Sequence, residues 1–185
     1  MFSSDNGGAR VSINRPLRGV KGSLYEGGIR VPTCMRWTGV IEPRSTSATP
    51  ITSVDFLPTF ADLAGIALPA SQPVDGESFL PILKGRTALQ GRAIFWHYPL
   101  YLTGRATPAS AIRKGDWKLI EYFEDGRKEL YNLASDIGES RNLADTVPGK
   151  ARELHQELVE WRRATNAVEP RDPNPFYREK PARQP

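Results

Sequence analysis

At 185 residues the chain can form one ordinary domain, or a piece of a larger one joined to a small module. With 39% hydrophobic and 25% charged residues it has the composition of a globular protein, and no apolar run is long enough to span a bilayer. The net charge of +4 is concentrated in residues 1–50, which hold seven Lys/Arg against three Asp/Glu and would welcome an anionic substrate there.

Met1 to Ser4 reads as the end of a strand, and Met-Phe-Ser-Ser-Asp has neither the basic nor the apolar region of a signal peptide. Asp5 to Gly28 is loop, with seven glycines or prolines and little periodicity. Ile29 to Trp37 is predicted as a strand; its near-continuous apolar character (Ile29, Val31, Cys34, Met35, Trp37) suits a parallel α/β sheet covered on both faces. Cys34, the single cysteine, excludes an internal disulfide and is expected to be a buried, inert thiol.

Thr52 to Ala64 is predicted as a helix. Thr52-Ser53-Val54-Asp55 is a capping-box-like start, Val54, Leu57, Ala61 and Ala64 recur at helical spacing, and Gly65 supplies the stop. Pro58 suggests that the regular helix begins near it. A short helix follows from Ser78 to Lys84. From about Leu89 the pattern changes. Ala93 to Tyr98 and Ser110 to Arg113 read as strands, and Trp117 to Phe123 with Lys128 to Leu133 as a β-hairpin around a two-residue type I′ turn, Asp125-Gly126. Pro148 opens a helix to about Thr165 with the stripe Ala151, Leu154, Leu158 and Trp161. The Pro/Arg-rich tail is expected to hug the surface or to be disordered.

The expected architecture is therefore α/β: a sheet-domain remnant over residues 1–88, a small antiparallel β-sheet subdomain with a C-terminal helix over 89–165, and a tail over 166–185. One complete parallel strand cannot make a covered sheet, so the remnant needs neighbours that this chain does not encode.

The chemistry-bearing residues cluster early. Asp5 and Asn6 are hard oxygen donors of the kind Ca²⁺ or Mg²⁺ prefers, although Asp-Asn-Gly-Gly equally reads as a tight turn. Lys21 lies between Gly19 and Gly22, where an oxyanion could approach a compact ammonium closely; alone it could equally be a solvated loop lysine. Glu26 and Arg30 read as a structural pair fixing the loop. With only His97 and His155, a histidine-rich zinc site is disfavoured. His97 reads either as a satisfied structural histidine or as a contact at a pocket mouth, and His155 as surface. Nucleic acid is disfavoured, since no basic helix face, zinc-finger spacing or aromatic-basic sheet signature is present.

Asp-Asn-Gly-Gly followed by Pro16-Leu17-Arg18-Gly19-Val20-Lys21-Gly22-Ser23-Leu24-Tyr25-Glu26-Gly27-Gly28-Ile29-Arg30-Val31-Pro32 resembles the C-terminal part of a formylglycine-dependent sulfatase, arylsulfatase-like, of the alkaline phosphatase superfamily. Val54 to Thr59, Asp75 to Gly85, Phe95 to Pro99, Ile112 to Leu119 and Glu129 to Leu133 carry the resemblance on, to about residue 165. It implies a sulfuric ester hydrolase with Ca²⁺ held partly by residues matching Asp5 and Asn6, a sulfate contact matching Lys21, and a formylglycine hydrate as nucleophile. It also implies that His97 could bind substrate, and that a full-length relative would be periplasmic or extracellular.

The chain departs from that family where the nucleophile belongs. Cys34-Met35-Arg36-Trp37-Thr38 has Arg in place of Pro, and Ser71-Gln72-Pro73-Val74-Asp75 ends in Asp instead of Arg. Ala9 stands where many relatives carry histidine. The expectation is a C-terminal fragment contributing half of a Ca²⁺ and sulfate site, with the missing N-terminal part as its partner and a sulfate ester, sulfated glycans among the candidates, as substrate. The alternatives are a phosphate or phosphonate monoester hydrolase of the same superfamily, or a non-catalytic module that binds anionic ligands.

Overall fold

The computed structural model describes residues 1–9, 11–86, 91–102, 107–170, 172 and 174–177. The boundary expected near residue 88 lies outside them, as does the end of the tail. In chain order the elements are β1 (Phe2–Ser3), α1 (Glu26–Ile29), β2 (Thr33–Cys34), α2 (Phe56–Ala64), α3 (Leu80–Leu83), β3 (Ala93–Tyr98), β4 (Ala109–Lys114), β5 (Trp117–Tyr122), β6 (Lys128–Asn132) and α4 (Pro148–Ala164). Two compact units result, one of residues 34–92 with Met1, the other of residues 2–33 and 93–185.

The larger unit is built on an antiparallel meander, β3-β4-β5-β6, with Ile112 opposite Leu119 and Leu119 opposite Leu130. Those three side chains point to one face, where they meet Ala151, Leu154 and Leu158 of α4, and the expected helical stripe is the one buried. Phe95 stacks on Trp161 at 4.7 Å along the same seam. Ala109, Ala111, Ile120 and Tyr131 occupy the opposite face, against Leu24 and Tyr25 of the N-terminal loop. The sheet is thus covered by a helix on one side and by an irregular loop on the other. Among the described residues no helix is long and apolar enough to cross a membrane.

The β5–β6 connection corrects the expected type I′ turn. Tyr122 N–H donates to Arg127 O at 2.9 Å, so four residues, 123–126, make the loop, and only Gly126 has positive φ (68°). A type I′ turn needs positive φ at both central residues. Asp125 stays out of that region, its carboxylate instead accepting the Arg127 N–H at 3.0 Å. The tight two-residue turn lies between β4 and β5, at Gly115-Asp116. The described part of the tail contacts the β5–β6 loop: Asn174 N–H donates to Glu124 and Tyr177 OH to Asp125.

In the 34–92 unit a 3₁₀ turn, Ser53–Asp55, leads into α2, which stops at Gly65 as expected. Thr59 Oγ1 donates to Asp55 O at 2.6 Å and accepts the Phe79 N–H at 3.0 Å, tying α2 to the segment before α3. The apolar stripe does not face a core: Leu57 is 59% exposed, Val54 and Ala64 are exposed, and the buried member of α2 is Thr59. Among this unit's described elements the 3₁₀ turn and α3 pack on α2, and neither buries the face of Val54 and Leu57. The strand expected over Ile29 to Trp37 is also corrected. Its start is the helix α1 and only Thr33–Cys34 is strand, so Cys34 sits in a two-residue element and is exposed, not buried.

Candidate functional site

The N-terminal loop owes its shape to two glycine pairs. Gly7 N–H donates to Gly28 O at 2.9 Å, and a Cβ on Gly7 would lie 2.0 Å from Gly27 O. Only glycines allow backbones to meet that closely. Asp5 and Asn6 are therefore fixed one step away from α1. The Lys21 N–H donates to Gly8 O at 2.9 Å, and the Asn14 amide donates to the carbonyls of Gly8 and Gly19 at 3.1 and 3.0 Å. Gly8 is the shared point: it brings the segment of Lys21 to that of Asp5 and Asn6. Lys21 is exposed, and its ammonium donates no hydrogen bond among the described residues, leaving a point charge available to an anion.

Asp5 is exposed and Asn6 half-buried, both with oxygen donors suited to a hard cation. Two side chains are a small part of the roughly six to eight oxygens that Ca²⁺ takes. Among the described residues no group of three or more His, Cys, Asp or Glu could hold a metal ion. The donor chemistry fits Ca²⁺ as one side of a coordination shell.

His97 has both ring nitrogens engaged, Nδ1 with Ser110 Oγ at 2.6 Å and Nε2 with Val168 O at 2.7 Å. Its ring meets Phe123 and Trp161 edge-on. His155 is not a plain surface residue. Its Nε2 lies 2.8 Å from Glu121 Oε1, and Arg162 donates to the other oxygen of that carboxylate at 2.7 Å. Burial pushes the Glu121 carboxyl up, but the Arg162 and His155 contacts outweigh it and hold it below its ordinary value.

Two buried polar clusters under the loop went unread in the sequence. In the first, Lys118 of β5 is fully buried, with its ammonium 3.0 Å from Glu26 Oε1 and 2.8 Å from Glu139 Oε1. The second of these is an ion contact without hydrogen-bond alignment. The pairing of Glu26 with Arg30 expected from their spacing is present at 3.5 Å, but Lys118 is the nearer partner. Burial pushes the Glu139 carboxyl up; Lys118 opposes this only in part. In the second cluster Tyr25 and Tyr131 both donate to Glu129 Oε2, at 2.7 and 2.9 Å, and Tyr122 donates to Tyr25 at 2.9 Å. Arg18 lies 4.0 Å over the Tyr25 ring and donates to Tyr131 OH and Glu139 O. Burial, with Tyr122 and Glu129 adding to it, pushes the Tyr25 phenol up. The one available signal was Lys118 itself, a lysine set between Trp117 and Leu119 in an apolar strand.

Residues 20–164 match the family model of the N-sulphoglucosamine sulphohydrolase C-terminal region. A sulfatase of Formosa agariphila is 38% identical over 183 residues, covering 90% of this chain and 33% of the relative. Human arylsulfatase A is 32% identical, covering 85% of this chain and 36% of the enzyme. The crystal structure of Ps i-CgsB in complex with k-i-k-neocarrahexaose matches 86% of this chain and 35% of that one, with a TM-score of 0.76 and 28% identity. The chain spans about a third of the length of the Formosa agariphila sulfatase and of human arylsulfatase A.

Proposed function

The chain belongs to the sulfatase family, matching its C-terminal region, and on that premise we propose that it supplies the Lys21 side of the active site of a sulfate-monoester hydrolase. The observation that carries the reading is the backbone hydrogen bond from Lys21 N–H to Gly8 O, which holds the Lys21 segment to that of Asp5 and Asn6. In this reading Lys21 binds the non-bridging oxygens of the sulfate and stabilises the charge that grows on them as the ester bond breaks. Asp5 and Asn6 would hold Ca²⁺, which when bound supplies Lewis-acid polarisation of the same oxygens. The nucleophile, a formylglycine hydrate, and the rest of the metal shell come from outside these 185 residues.

The proposed division is a catalytic-domain portion over 1–88, a small α+β subdomain over 89–165 and a tail over 166–185. His97, with both nitrogens occupied, ties β3 to Ser110 of β4 and to the segment at Val168, and in this reading is a structural histidine. Sulfated sugars are the proposed substrates. BT4656, solved with its substrate D-glucosamine-2-N,6-O-disulfate, has a TM-score of 0.69 and 30% identity over 81% of this chain. The phosphonate monoester hydrolase of Silicibacter pomeroyi shares the fold, at a TM-score of 0.58 and 23% identity. Phosphonate monoesters are therefore the second substrate class to assay.

The test is a chimera in which this chain replaces the matching third of the Formosa agariphila sulfatase. Such a chimera is expected to hydrolyse sulfate esters, and Lys21→Ala to lower its turnover by roughly two to three powers of ten. Unchanged turnover in Lys21→Ala would reduce Lys21 to a loop lysine.

A further inference from the structure

Resting on that reading, we infer that the buried Lys118–Glu139 pair positions Lys21 and Asp5–Asn6, by holding α1 as the anchor common to both. Neither residue touches the candidate site. Glu139 Oε2 accepts the Glu26 N–H at 2.6 Å, capping the first turn of α1, for which the preceding residue, Tyr25, offers no side-chain cap. Lys118 holds the Glu26 carboxylate at 3.0 Å, while Arg30 and Arg113 stand 3.5 and 3.8 Å from its other oxygen. The position and direction of α1 are thus set by charges from β5 and from the loop after β6.

Two routes lead from α1 to the site. Gly27 N–H donates to Arg18 O at 2.7 Å, which fixes the start of the loop that carries Lys21. Gly28 O accepts the Gly7 N–H at 2.9 Å, which fixes the end of the segment that carries Asp5 and Asn6. Both routes close at Gly8 through Lys21 N–H and Asn14. Stability alone does not account for a fully buried lysine, because well-packed apolar residues of similar volume serve a core as well or better. A charge that must face two carboxylates gives α1 one orientation.

The experiment uses the ¹⁵N-labelled 185-residue chain with Lys118→Met, Lys118→Arg and Glu139→Gln. Amide hydrogen exchange is compared between Gly7, Lys21 and Gly27 and the amides of β4 and β5, and the Lys21 amide is followed during titration with inorganic sulfate. Lys118→Met and Glu139→Gln are expected to accelerate exchange at the three loop amides by about tenfold or more while β4 and β5 keep their protection. The Lys21 response to sulfate is expected to weaken, and Lys118→Arg to restore part of both. Unchanged loop exchange, loss shared equally by the sheet, or an undiminished sulfate response would each overturn the positioning role. If Lys118→Met does not fold, Glu139→Gln, which keeps its shape and an acceptor for the Glu26 N–H, decides by the same criteria. A wild-type chain whose Lys21 amide ignores sulfate would sink the functional reading instead, and with it the claim that this anchor serves an anion site.

Discussion

Arg92 closes on Asp55 with both ends of its guanidinium: Nη1 donates to Oδ1 at 2.7 Å and Nη2 to Oδ2. The same fully buried carboxylate accepts the N–H groups of Thr52 at 2.7 Å and Glu77 at 3.0 Å. One side chain therefore joins the entry to α2, the segment before α3 and the end of the 34–92 unit.

That junction predicts acid sensitivity. Burial pushes the Asp55 carboxyl up, but the Arg92 bonds and the two backbone N–H groups outweigh it and leave the group below its ordinary value. Its contribution is complete above the unfolded-state value of about 3.9 and is lost as pH falls through the depressed folded value. Urea unfolding from pH 7 down to pH 2 should show this loss in the wild type and a flatter profile in Asp55→Asn. Arg92→Met, which leaves the carboxylate buried and unpaired, should cost about 3–5 kcal/mol at neutral pH.

An alkaline limit is expected from the tyrosine cluster. Burial first, and the Glu129 charge second, push the Tyr122 phenol up to about 12. Because the folded value exceeds the unfolded value of about 10, stability is intact below pH 10 and falls as pH rises through 12. Ultraviolet difference titration should resolve a late-ionising tyrosine that Tyr122→Phe removes. A titration in which every tyrosine ionises at its ordinary value would contradict the cluster.

Gly28→Ala should loosen the N-terminal loop. The added Cβ would lie 2.1 Å from Ser23 O, a backbone atom that cannot turn aside. A cost of roughly 1–3 kcal/mol is expected, read as a lower thermal midpoint with altered Lys21 and Gly7 amide shifts. An unperturbed loop spectrum would mean that the glycine pairs are not needed for its shape.

Leucines on the two main helices should behave oppositely. Leu158 is fully buried against the sheet, and Leu158→Ala should cost about 2–5 kcal/mol. Leu57, 59% exposed on α2, should tolerate alanine within about 0.5 kcal/mol in this chain. Comparable losses at both would show that the face of α2 is covered in solution.

The larger unit was legible because its strands and α4 carry their own periodicity: β3 was placed at its observed bounds, and Ala151, Leu154 and Leu158 are the stripe that is buried. The Gly65 stop was legible for the same local reason. Two errors share a different cause. Val54 and Leu57 repeat correctly for a helix, and Ile29 to Trp37 reads correctly as apolar, but periodicity gives a face without saying what lies against it. At Asp125-Gly126 a dipeptide rule lost to an Asp side chain that accepts the backbone N–H of Arg127. Asp5, Asn6 and Lys21 were picked out by motif, yet their convergence on Gly8 depends on Asn14, Gly27 and Gly28. Lys118 and Glu139 remained hidden because partners more than ninety residues apart leave no local pattern.

The capping of Glu26 by Glu139 spans 113 residues of chain, and the Arg18–Glu139 bond spans 121. Such contacts repay their loop-closure entropy only after the sheet that carries Lys118 and the turn that carries Glu139 exist. On a ribosome, residues 5–30 therefore emerge well before Lys118 and Glu139, the charges that anchor α1, and the anchoring of the candidate site is completed late. Interruption of synthesis before residue 139 would yield a chain that holds Asp5, Asn6 and Lys21 without the carboxylate that caps α1.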